Sequence, residues 1–477
     1  MRKLVVTLLL LCTGLRAQKL SPEVQKYVRV SAPVVALTHV RVIDGTGSAP
    51  IEDRTILIQD GKISSITDGS SAPPKEAQIL DLRGYTVIPG LVGMHEHMFY
   101  PAKHLFQEMA VSFPRLYLAG GVTTIRTTGS MEPYTDLNLK QMIDRGEVPG
   151  PNIHVTGPYL EGPGTWLMQS AELKTPAEAA ATVNFWIDRG VDNFKAYNFI
   201  SRAVLGAAIE AAHKRGVKVT GHLCSVGFRE AAELGIDDLE HGLVVDTEFF
   251  SKKKPDECPD EEAVASELIK MKVSDPPIQE TIRELVAHHV AVTSTLPVFE
   301  PFVPNKAPLQ QRVLDVMSLE ARNRYLENRV ALDLPRRDPK TGEISPRPWG
   351  PIFPEEMEFE RAFVKAGGLL LAGLDPTGLG GVIPGFGDQR EVELLVEAGF
   401  APLEAIHIAT YNGAQYLGEL DRVGTISAGK QADLVVIKGN PAAKIDDIEN
   451  VEIVFKNGVG YDSAKLIESA RGLVGIE

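Results

Sequence analysis

The central part of the sequence, residues 84–420, alternates short apolar segments with longer segments of helical character. Short apolar runs bounded by turn residues predict buried strands, and their alternation with helices predicts that the strands run parallel. Eight such strands can be placed, at residues 85–94, 121–127, 151–157, 191–197, 217–223, 238–242, 290–296 and 368–374. This is the strand content of a TIM barrel, so the predicted fold class is α/β, a (β/α)8 barrel.

Helices are predicted between several of these strands, at residues 103–120, 175–189, 202–215 and 228–234. The second of them begins with Thr175-Pro-Ala-Glu178, a capping-box pattern with proline in the first helical position. Residues 299–354 form a long proline-rich segment with helical character around 309–333, and we expect this segment to be a lid.

Both ends of the chain are instead rich in short β segments. Residues 34–43, 54–59 and 62–67 predict strands, with Asp60-Gly61 as a hairpin turn, and residues 433–438 and 451–455 predict strands near the other end. We therefore predict one small β-sandwich built from residues 18–83 and 421–477, flanking a barrel domain of residues 84–420.

The N-terminus has the layout of a secretory signal peptide, with the basic start Met1-Arg-Lys, an apolar stretch at residues 4–15 and a cleavage site after Ala17. A dozen apolar residues are too few to span a bilayer, which argues against a membrane anchor. The sequence thus predicts export to a periplasm or beyond, with residues 1–17 removed. Cys224 and Cys258 then remain, as a disulfide or as buried thiols.

Charge narrows the range of partners. Acidic residues outnumber basic ones 63 to 49, which gives a net charge of -14. Nucleic acids and anionic membranes require a basic surface, so neither is an expected partner. A small-molecule substrate is expected, and a homo-oligomer is an open alternative to a monomer.

Ionisable residues collect at the predicted carboxyl ends of the central strands. His95 and His97 lie two residues apart on one strand, so their side chains share a face. Such a pair alone is weak evidence for a metal site, but the other strand ends add four residues, so that the full set is His95, His97, Lys195, His222, His241 and Asp375. Reactive groups of (β/α)8 barrels lie at this end of the strands.

Four motifs together resemble the amidohydrolase superfamily, in particular its imidazolonepropionase-like and prolidase-like branch. They are Pro89-Gly-Leu with His95-x-His97, Gly121-Val-Thr-Thr, the Lys195 strand, and Gly424-Thr-Ile-x-x-Gly429-Lys-x-Ala-Asp433-Leu. The resemblance implies two divalent metal ions, often zinc, bridged by a hydroxide and by a CO2-derived carbamate on Lys195. It implies that one ion is held by His95, His97 and Asp375, and the other by His222 and His241.

By the same resemblance, the chain is expected to hydrolyse an amide bond in N-acyl amino acids or Xaa-Pro-like dipeptides, with Asp375 as the proton carrier. Ring opening of a cyclic amide or lactone is the alternative reaction. A non-catalytic binding protein on the same barrel is the alternative of another class, and a mononuclear deaminase conflicts with Lys195.

The sequence gives weaker indications of function for residues near the predicted ligands. Tyr197 shares the face of Lys195 and is a candidate substrate contact, with a packed tyrosine as the alternative. Arg126 is a candidate partner for a substrate carboxylate, with a structural ion pair as the alternative. His154 is assigned to the barrel wall, and Glu96 is expected to point away from the two histidines beside it.

Overall fold

A computed structural model describes residues 20–102, 105–167, 169–334, 336–337, 344–345 and 348–476. The predicted signal peptide, residues 1–17, lies outside these ranges, as does part of the predicted lid. Among the described residues, no helix combines the length and the apolar character needed to cross a membrane.

The strands of the described residues are numbered in chain order. They are β1 (Val28–Val30), β2 (Val34–Val42), β3 (Ile51–Gln59), β4 (Lys62–Asp68), β5 (Gln78–Asp81), β6 (Tyr85–Pro89), β7 (Leu91–Glu96), β8 (Phe99–Ala102), β9 (Leu105–Glu108), β10 (Val122–Thr127), β11 (Asn152–His154), β12 (Leu160–Glu161), β13 (Ala171–Glu172), β14 (Asn193–Ala196), β15 (Lys218–Gly221), β16 (Asp238–Glu240), β17 (Ala291–Ser294), β18 (Arg336–Arg337), β19 (Ile344–Ser345), β20 (Leu370–Ala372), β21 (Leu434–Lys438), β22 (Val451–Lys456) and β23 (Val459–Asp462).

The α-helices follow the same order. They are α1 (Pro22–Gln25), α2 (Ser112–Ala119), α3 (Pro133–Asp144), α4 (Pro176–Ile187), α5 (Arg202–His213), α6 (Phe228–Glu233), α7 (Glu261–Leu268), α8 (Pro276–Ala287), α9 (Leu296–Phe299), α10 (Gln311–Val316), α11 (Leu319–Asp333), α12 (Trp349–Lys365), α13 (Phe386–Ala398), α14 (Pro402–His407), α15 (Gly413–Tyr416) and α16 (Ser463–Ser469). Short 3-10 turns lie at Gly242–Val245, Glu300–Phe302 and Ile445–Glu449, and a π-helical turn at Ile408–Asn412.

Strands from both ends of the chain share one nine-stranded sheet. Its order is β1-β23-β22-β21-β6-β2-β3-β4, with β5 paired to β2. A buried apolar cluster that includes Leu37, Ile56, Val436 and Phe455 joins the two ends. Both ends thus build one β unit through direct pairing, and the domain limits at residues 83 and 421 stay predictions.

The parallel strands lie in two further sheets, β11-β10-β7 and β13-β12-β14-β15-β16-β17-β20. Thr156, just after β11, forms a parallel bridge with Asn193 of β14. At the other edges, the Asp375 amide after β20 donates to the carbonyl of His95 in β7, at 3.0 Å. The prediction of an α/β fold with parallel strands is confirmed, and all eight predicted central segments contain a strand.

The prediction of a single strand over residues 85–94 is wrong. The chain forms two strands there: β6 pairs antiparallel with β21 in the nine-stranded sheet, and β7 pairs parallel with β10. Gly90 separates them, and the side chain of Thr123 fills the space that a Cβ of residue 90 would need. One continuous apolar segment therefore serves two sheets, which its composition alone does not reveal.

The predicted helix at residues 103–120 is also wrong in its first half. Helix α2 begins at Ser112, and β8 and β9 pair as an antiparallel hairpin before it. Bulky aromatic residues such as Phe99, Tyr100 and Phe106 favour this strand pairing. The capping box of α4 is confirmed, because Thr175 Oγ1 accepts from the Glu178 amide at 3.2 Å.

Cys224 and Cys258 form a disulfide with a Cα separation of 4.9 Å. The bond links the segment after β15 to the loop that precedes α7. Lys253 Nζ supports the same junction by donating to the carbonyls of Cys224 and Ser225, at 2.8 and 2.7 Å. Of the two alternatives for these cysteines, a disulfide or buried thiols, the structure has the disulfide.

His154 at the end of β11 lies in the wall of the parallel strands, away from the carboxyl-end cavity described below. Its ring nitrogens lie 3.2 Å from Asp192 Oδ2 and 3.3 Å from Glu419 Oε1. Burial lowers the pKa of His154, but the hydrogen bonds and charges of the two carboxylates outweigh burial and raise that pKa to about 9.

We predict that His154→Gln destabilises the protein at pH 6 and has little effect at pH 10. The folded-state pKa lies above the unfolded value of about 6.5, so the stabilisation is complete below pH 6.5 and is lost as pH rises through about 9. Urea unfolding should show a loss of about 1–2 kcal/mol at pH 6. The surface variant His288→Gln is the control, and a pH-independent loss in His154→Gln would contradict the ion-pair explanation.

Candidate metal centre

The six ionisable residues predicted at the strand ends lie together in the structure. His95 is in β7 and Lys195 in β14, and the others follow β7, β15, β16 and β20 directly or within three residues: His97, His222, His241 and Asp375. Because these strands are parallel, their carboxyl ends open on the same side. Five of the six side chains line one cavity, and the sixth, His95, contacts Lys195 and Asp375 beside it.

Asp375 is the centre of this group. Its two oxygens lie 3.5 Å from His95 Nε2 and 3.5 Å from His97 Nε2, and Oδ2 lies 4.0 Å from His241 Nε2. One ligand atom each from His95, His241 and Asp375 fall within 4.8 Å of one another, and all three residues are buried. This is a donor set of two imidazoles and one carboxylate that could hold a divalent metal ion.

Three histidines are oriented by their Nδ1 atoms. Nδ1 of His95 donates to Glu240 Oε2 at 2.7 Å, and Nδ1 of His97 donates to the Gly129 carbonyl at 3.1 Å. Nδ1 of His241 lies 2.7 Å from Thr295 Oγ1. Each ring therefore presents Nε2 to the cavity side, as metal-ligating imidazoles do. His241 Nε2 is buried without a hydrogen-bond partner, which fits a metal ion at this position.

Burial keeps these histidines neutral. Burial, and after it the charge of the nearby Lys195, lower the pKa of His222 to about 3. The pKa values of His95, His97 and His241 are lowered by the same main cause. The neutral imidazole is the form that binds a metal. The His222 ring lies 4.6 Å from the His241 ring, so a second ion between them would have two imidazole donors.

Lys195 is 2% exposed, and its Nζ lies 3.0 Å from His95 Nε2. Burial lowers the pKa of Lys195 to about 8, although Glu240 and Asp375 act in the opposite direction. A larger share of the side chain is therefore the neutral amine at neutral pH than for an ordinary lysine. An ammonium cannot bind a cation, so this burial favours a modified or neutral lysine at the centre.

Asp375 and His241 both have left-handed backbone conformations, with φ of 49° and 71°. Such conformations are strained for residues other than glycine and often occur at functional sites. Burial raises the pKa of Asp375 to about 6, while Thr377 Oγ1 donates to its Oδ1 at 2.7 Å and opposes the shift. A carboxyl group with this pKa can gain and lose a proton near neutral pH.

Glu240 orients His95 and was not identified from the sequence. Its other oxygen accepts from Arg126 Nη2 at 2.9 Å, and Arg126 also contacts Asp238 at 2.8 Å. Strand alternation would place Glu240 and His241 on opposite faces, but the positive φ of His241 breaks the alternation. The sequence did contain one indication of this role: Asp238 and Glu240 lie two residues apart on one strand, so their carboxylates share a face.

Arg126 does not lie in the cavity. It is fully buried, and its side chain also donates to the carbonyl of Met94 at 2.8 Å. The position supports the structural ion pair and not the predicted contact with a substrate carboxylate. Tyr197, the other predicted substrate contact, does line the cavity, and its ring lies 4.9 Å from the His222 ring.

Glu96 points away from the two histidines beside it, as strand alternation predicts. Its carboxyl group is fully buried near Tyr117 and Asp388, and burial raises its pKa well above the ordinary value. A Cβ at residue 93 would collide with this carboxyl group, so Gly93 makes room for Glu96. This contact explains the glycine in structural terms.

The cavity at the strand ends has a volume of about 180 Å³. Its apolar and aromatic lining includes Phe99 and Phe106 from the β8–β9 hairpin, and Phe299 and Phe302 from the start of the predicted lid. Helices α10, α11 and the start of α12 lie in this segment, as its helical character predicts. Movement of the segment stays a prediction.

Several known proteins and one protein family match parts of this sequence. A family model described as the amidohydrolase family matches residues 379–459. A dihydroorotase of Anaeromyxobacter dehalogenans is 32% identical over 96 residues, 20% of this chain and 22% of that protein. An imidazolonepropionase of Mycolicibacterium smegmatis is 24% identical over 241 residues, 42% of this chain and 58% of that protein.

Likeness in structure extends further along the chain. The crystal structure of a Bifidobacterium longum protein assigned as a prolidase has a TM-score of 0.64 and 25% identity, and the match covers 92% of this chain and 99% of that one. The chain spans only about a fifth of the length of the first curated relatives that it matches in sequence.

Together with the buried donor set, these matches support the resemblance to the amidohydrolase superfamily. The resemblance that the sequence motifs indicated is confirmed at the level of the superfamily, and hydrolase activity of this chain stays a prediction.

We predict that Glu240→Gln weakens zinc binding about 10- to 100-fold, as loss of a residue that orients a metal-ligating histidine usually does. Glutamine retains an acceptor for His95 but removes the charge, while Asp238 still pairs with Arg126. Competition with a chromogenic chelator measures the affinity, and thermal unfolding verifies the fold. Glu210→Gln, at an exposed position of α5, is the matched control. Wild-type zinc affinity in folded Glu240→Gln would contradict the role of Glu240.

Proposed function

We propose that the chain is an exported, metal-dependent amidohydrolase that cleaves the amide bond of N-acyl amino acids or Xaa-Pro-like dipeptides. The observation that carries this proposal is the set of three imidazoles, anchored at Nδ1, whose Nε2 atoms converge on Asp375 beside buried Lys195. The likeness to a protein assigned as a prolidase supports an amide substrate of dipeptide type.

The proposal includes a closed (β/α)8 barrel as the support of the site. Its eight strands would be β7, β10, β11, β14, β15, β16, β17 and β20. Two contacts between the separate parallel sheets support closure: the Thr156–Asn193 bridge and the hydrogen bond from the Asp375 amide to His95. The second contact joins two of the proposed ligands through the backbone, so closing the barrel would also fix their separation.

Two divalent ions would be held by the six ionisable residues. His95, His97 and Asp375 would bind one, and His222 and His241 the other, with zinc favoured by the imidazole and carboxylate donors. The neutral amine of Lys195 would add to CO2, forming an N–C bond and releasing a proton, to give an anionic carbamate whose oxygens could serve as metal ligands. When bound, the ions would lower the pKa of a water molecule and polarise the substrate carbonyl.

Asp375 would be the side chain that transfers the proton. One of its oxygens would accept the proton of the attacking water and deliver it to the nitrogen of the leaving amine. Its pKa of about 6 lets the carboxyl group take both forms near neutral pH, and Thr377 fixes its orientation. The aromatic lining of the cavity would exclude other water molecules during this transfer.

Ring opening of a cyclic amide or lactone is the second candidate. The relatives named dihydroorotase and imidazolonepropionase support it, since both names refer to ring substrates. A non-catalytic binding protein is the third candidate, and the complete set of donor residues argues against it.

Export is part of the proposal and has independent support. The signal-peptide pattern at residues 1–17 predicts it, and the Cys224–Cys258 disulfide fits an oxidising compartment.

The proposed reaction can be tested with zinc-loaded enzyme on a pool of N-acyl amino acids, Xaa-Pro dipeptides, cyclic imides and lactones, with products identified by mass spectrometry. We expect cleavage of the linear amides, and a fall of about 10²- to 10⁴-fold in kcat for Asp375→Asn with zinc still bound.

Cleavage of rings alone would favour the second candidate. Near wild-type turnover in metal-loaded Asp375→Asn would refute the proton-carrier role, and a wild-type protein that binds no zinc would favour the third candidate.

The bridge is tested by metal content. Lys195→Ala should bind one ion per chain where the wild type, reconstituted with zinc and bicarbonate, binds two. Lys214→Ala serves as the control, because Lys214 directly follows α5 and its side chain is 70% exposed. Elemental analysis of desalted protein gives the stoichiometry, and two ions per chain in Lys195→Ala would count against the carbamate bridge.

A further inference from the structure

We infer that the outer face of helix α11 is the contact surface of a homodimer, in which two copies of the helix pair in parallel. Helix α11 lies in the predicted lid segment, and the inference does not depend on the proposed reaction. Three observations carry it: a stripe of residues at coiled-coil spacing, the charges on either side of the stripe, and the attachment of the opposite helix face to the core.

Four residues form a narrow row along the outer face of the helix, which we call the α11 stripe. They are separated by four, three and four positions: Leu319, Asn323, Leu326 and Val330. With about 3.6 residues per turn, all four lie within about 60° of one another around the helix. This is the spacing of the d and a positions of a heptad repeat, whose side chains meet between paired helices. Leu319 and Val330 are 66% and 61% exposed, so the stripe faces away from the protein's own core.

The opposite face of α11 is held by the rest of the chain. Ala321 and Tyr325 are buried in the main hydrophobic cluster, and Asn328 Nδ2 donates to the Leu379 carbonyl at 2.9 Å. Ser318 Oγ caps the helix by accepting from the Ala321 amide at 3.2 Å. The helix is therefore already formed in the single chain. Pairing would not carry the cost of helix formation that makes isolated helices of this length marginal.

Charged residues of opposite sign flank the α11 stripe. Arg322 and Arg329 occupy the g positions on one side, and Glu320 and Glu327 occupy the e positions on the other. In a parallel pair, a g residue lies beside the e residue five positions further along the second helix, so Arg322 would meet Glu327 of the second copy. Two-fold symmetry would form this ion pair twice. An antiparallel pair would instead bring sides of like charge together.

Asn323 fits the same arrangement. An asparagine at an a position is known to specify two parallel strands in one register, because its amide can hydrogen-bond its symmetry mate in the seam. The same residue lowers the stability of the pair. Since the α11 stripe covers only two heptads, we expect a weak dimer with a Kd of about 1–100 μM.

A second copy fits the α11 stripe better than a lipid surface does. Helices that bind anionic membranes have basic residues along the polar face. Here one side of the stripe is acidic, and the chain has a net charge of -14. A helix with complementary rows of charge instead matches a parallel copy of itself.

Cross-linking tests the pairing and its direction. Asn323→Cys and Val330→Cys should both form disulfide-linked dimers, because a parallel pair in register brings both positions next to their own symmetry mates, within the Cα separation of about 7 Å that a disulfide tolerates. Diamide is the oxidant and takes up the two electrons and two protons of the paired thiols. Cys224 and Cys258 are already bonded to each other, and the protein is used after removal of the predicted signal peptide.

Ala331→Cys is the matched control, since residue 331 is exposed on the same helix but lies outside the stripe. It should remain monomeric on a non-reducing gel. Cross-linking of Ala331→Cys as fast as Val330→Cys, or of only one of the two stripe variants, would overturn the parallel pair.

Sedimentation velocity measures the dimer itself over protein concentrations of about 1–200 μM. Val330→Glu should abolish the dimer, while Ala331→Glu should leave it intact. Arg322→Glu and Glu327→Arg should each raise Kd about three- to tenfold, and the double variant should restore the wild-type value, because the charges are exchanged and not removed. Thermal unfolding verifies the fold of each variant.

Three results would overturn the inference. One is a wild-type protein that stays monomeric over the whole range. Another is an assembly of the same mass in the wild type and in Val330→Glu, which would place self-association on a different surface. The third is flotation of the wild type with phosphatidylglycerol vesicles that is lost in Val330→Glu and kept in Ala331→Glu, which would assign the α11 stripe to a lipid surface.

Discussion

Burial of ionisable groups at the ends of the parallel strands is the constraint on which the rest of the site depends. Arg126, Asp238, Glu240 and His95 form one connected network with almost no solvent exposure. Burying an unpaired charge is energetically costly. Removing one member of the network would therefore leave another buried charge without its partner. The network fixes the His95 ring through Nδ1 and directs its Nε2 toward Lys195 and Asp375. A structural ion pair thereby orients a proposed metal ligand.

The two strand systems are coupled at the segment that contains Gly90. β6 belongs to the sheet built from both chain ends, and β7 carries His95. Because only Gly90 separates β6 from β7, the terminal sheet contributes to the position of the first ligand strand. This coupling gives the nine-stranded sheet a role in the site although none of its strands contributes a ligand side chain.

Much of the fold and of the donor set could be predicted because strands and ligand positions depend on local periodicity. Apolar runs located the strands around Lys195 and His241, and the strand-end rule selected the six ionisable residues. The Gly90 break and the hairpin at residues 99–108 could not be found in this way, because both depend on which distant strand is the pairing partner. The role of Arg126 was also decided at a distance, by carboxylates more than a hundred residues further along the chain.

The sequence by itself determined which residues could supply imidazole, carboxylate and amine donors, and the parallel strand direction that brings them to one side. Alternation of side chains and the common direction of parallel strands are sufficient for that inference. Only the tertiary structure decided which nitrogen of each histidine faces the cavity, that Arg126 is sequestered, and that the remaining lining is aromatic. These properties depend on contacts between segments far apart in the chain, and a single sequence contains no direct record of such contacts.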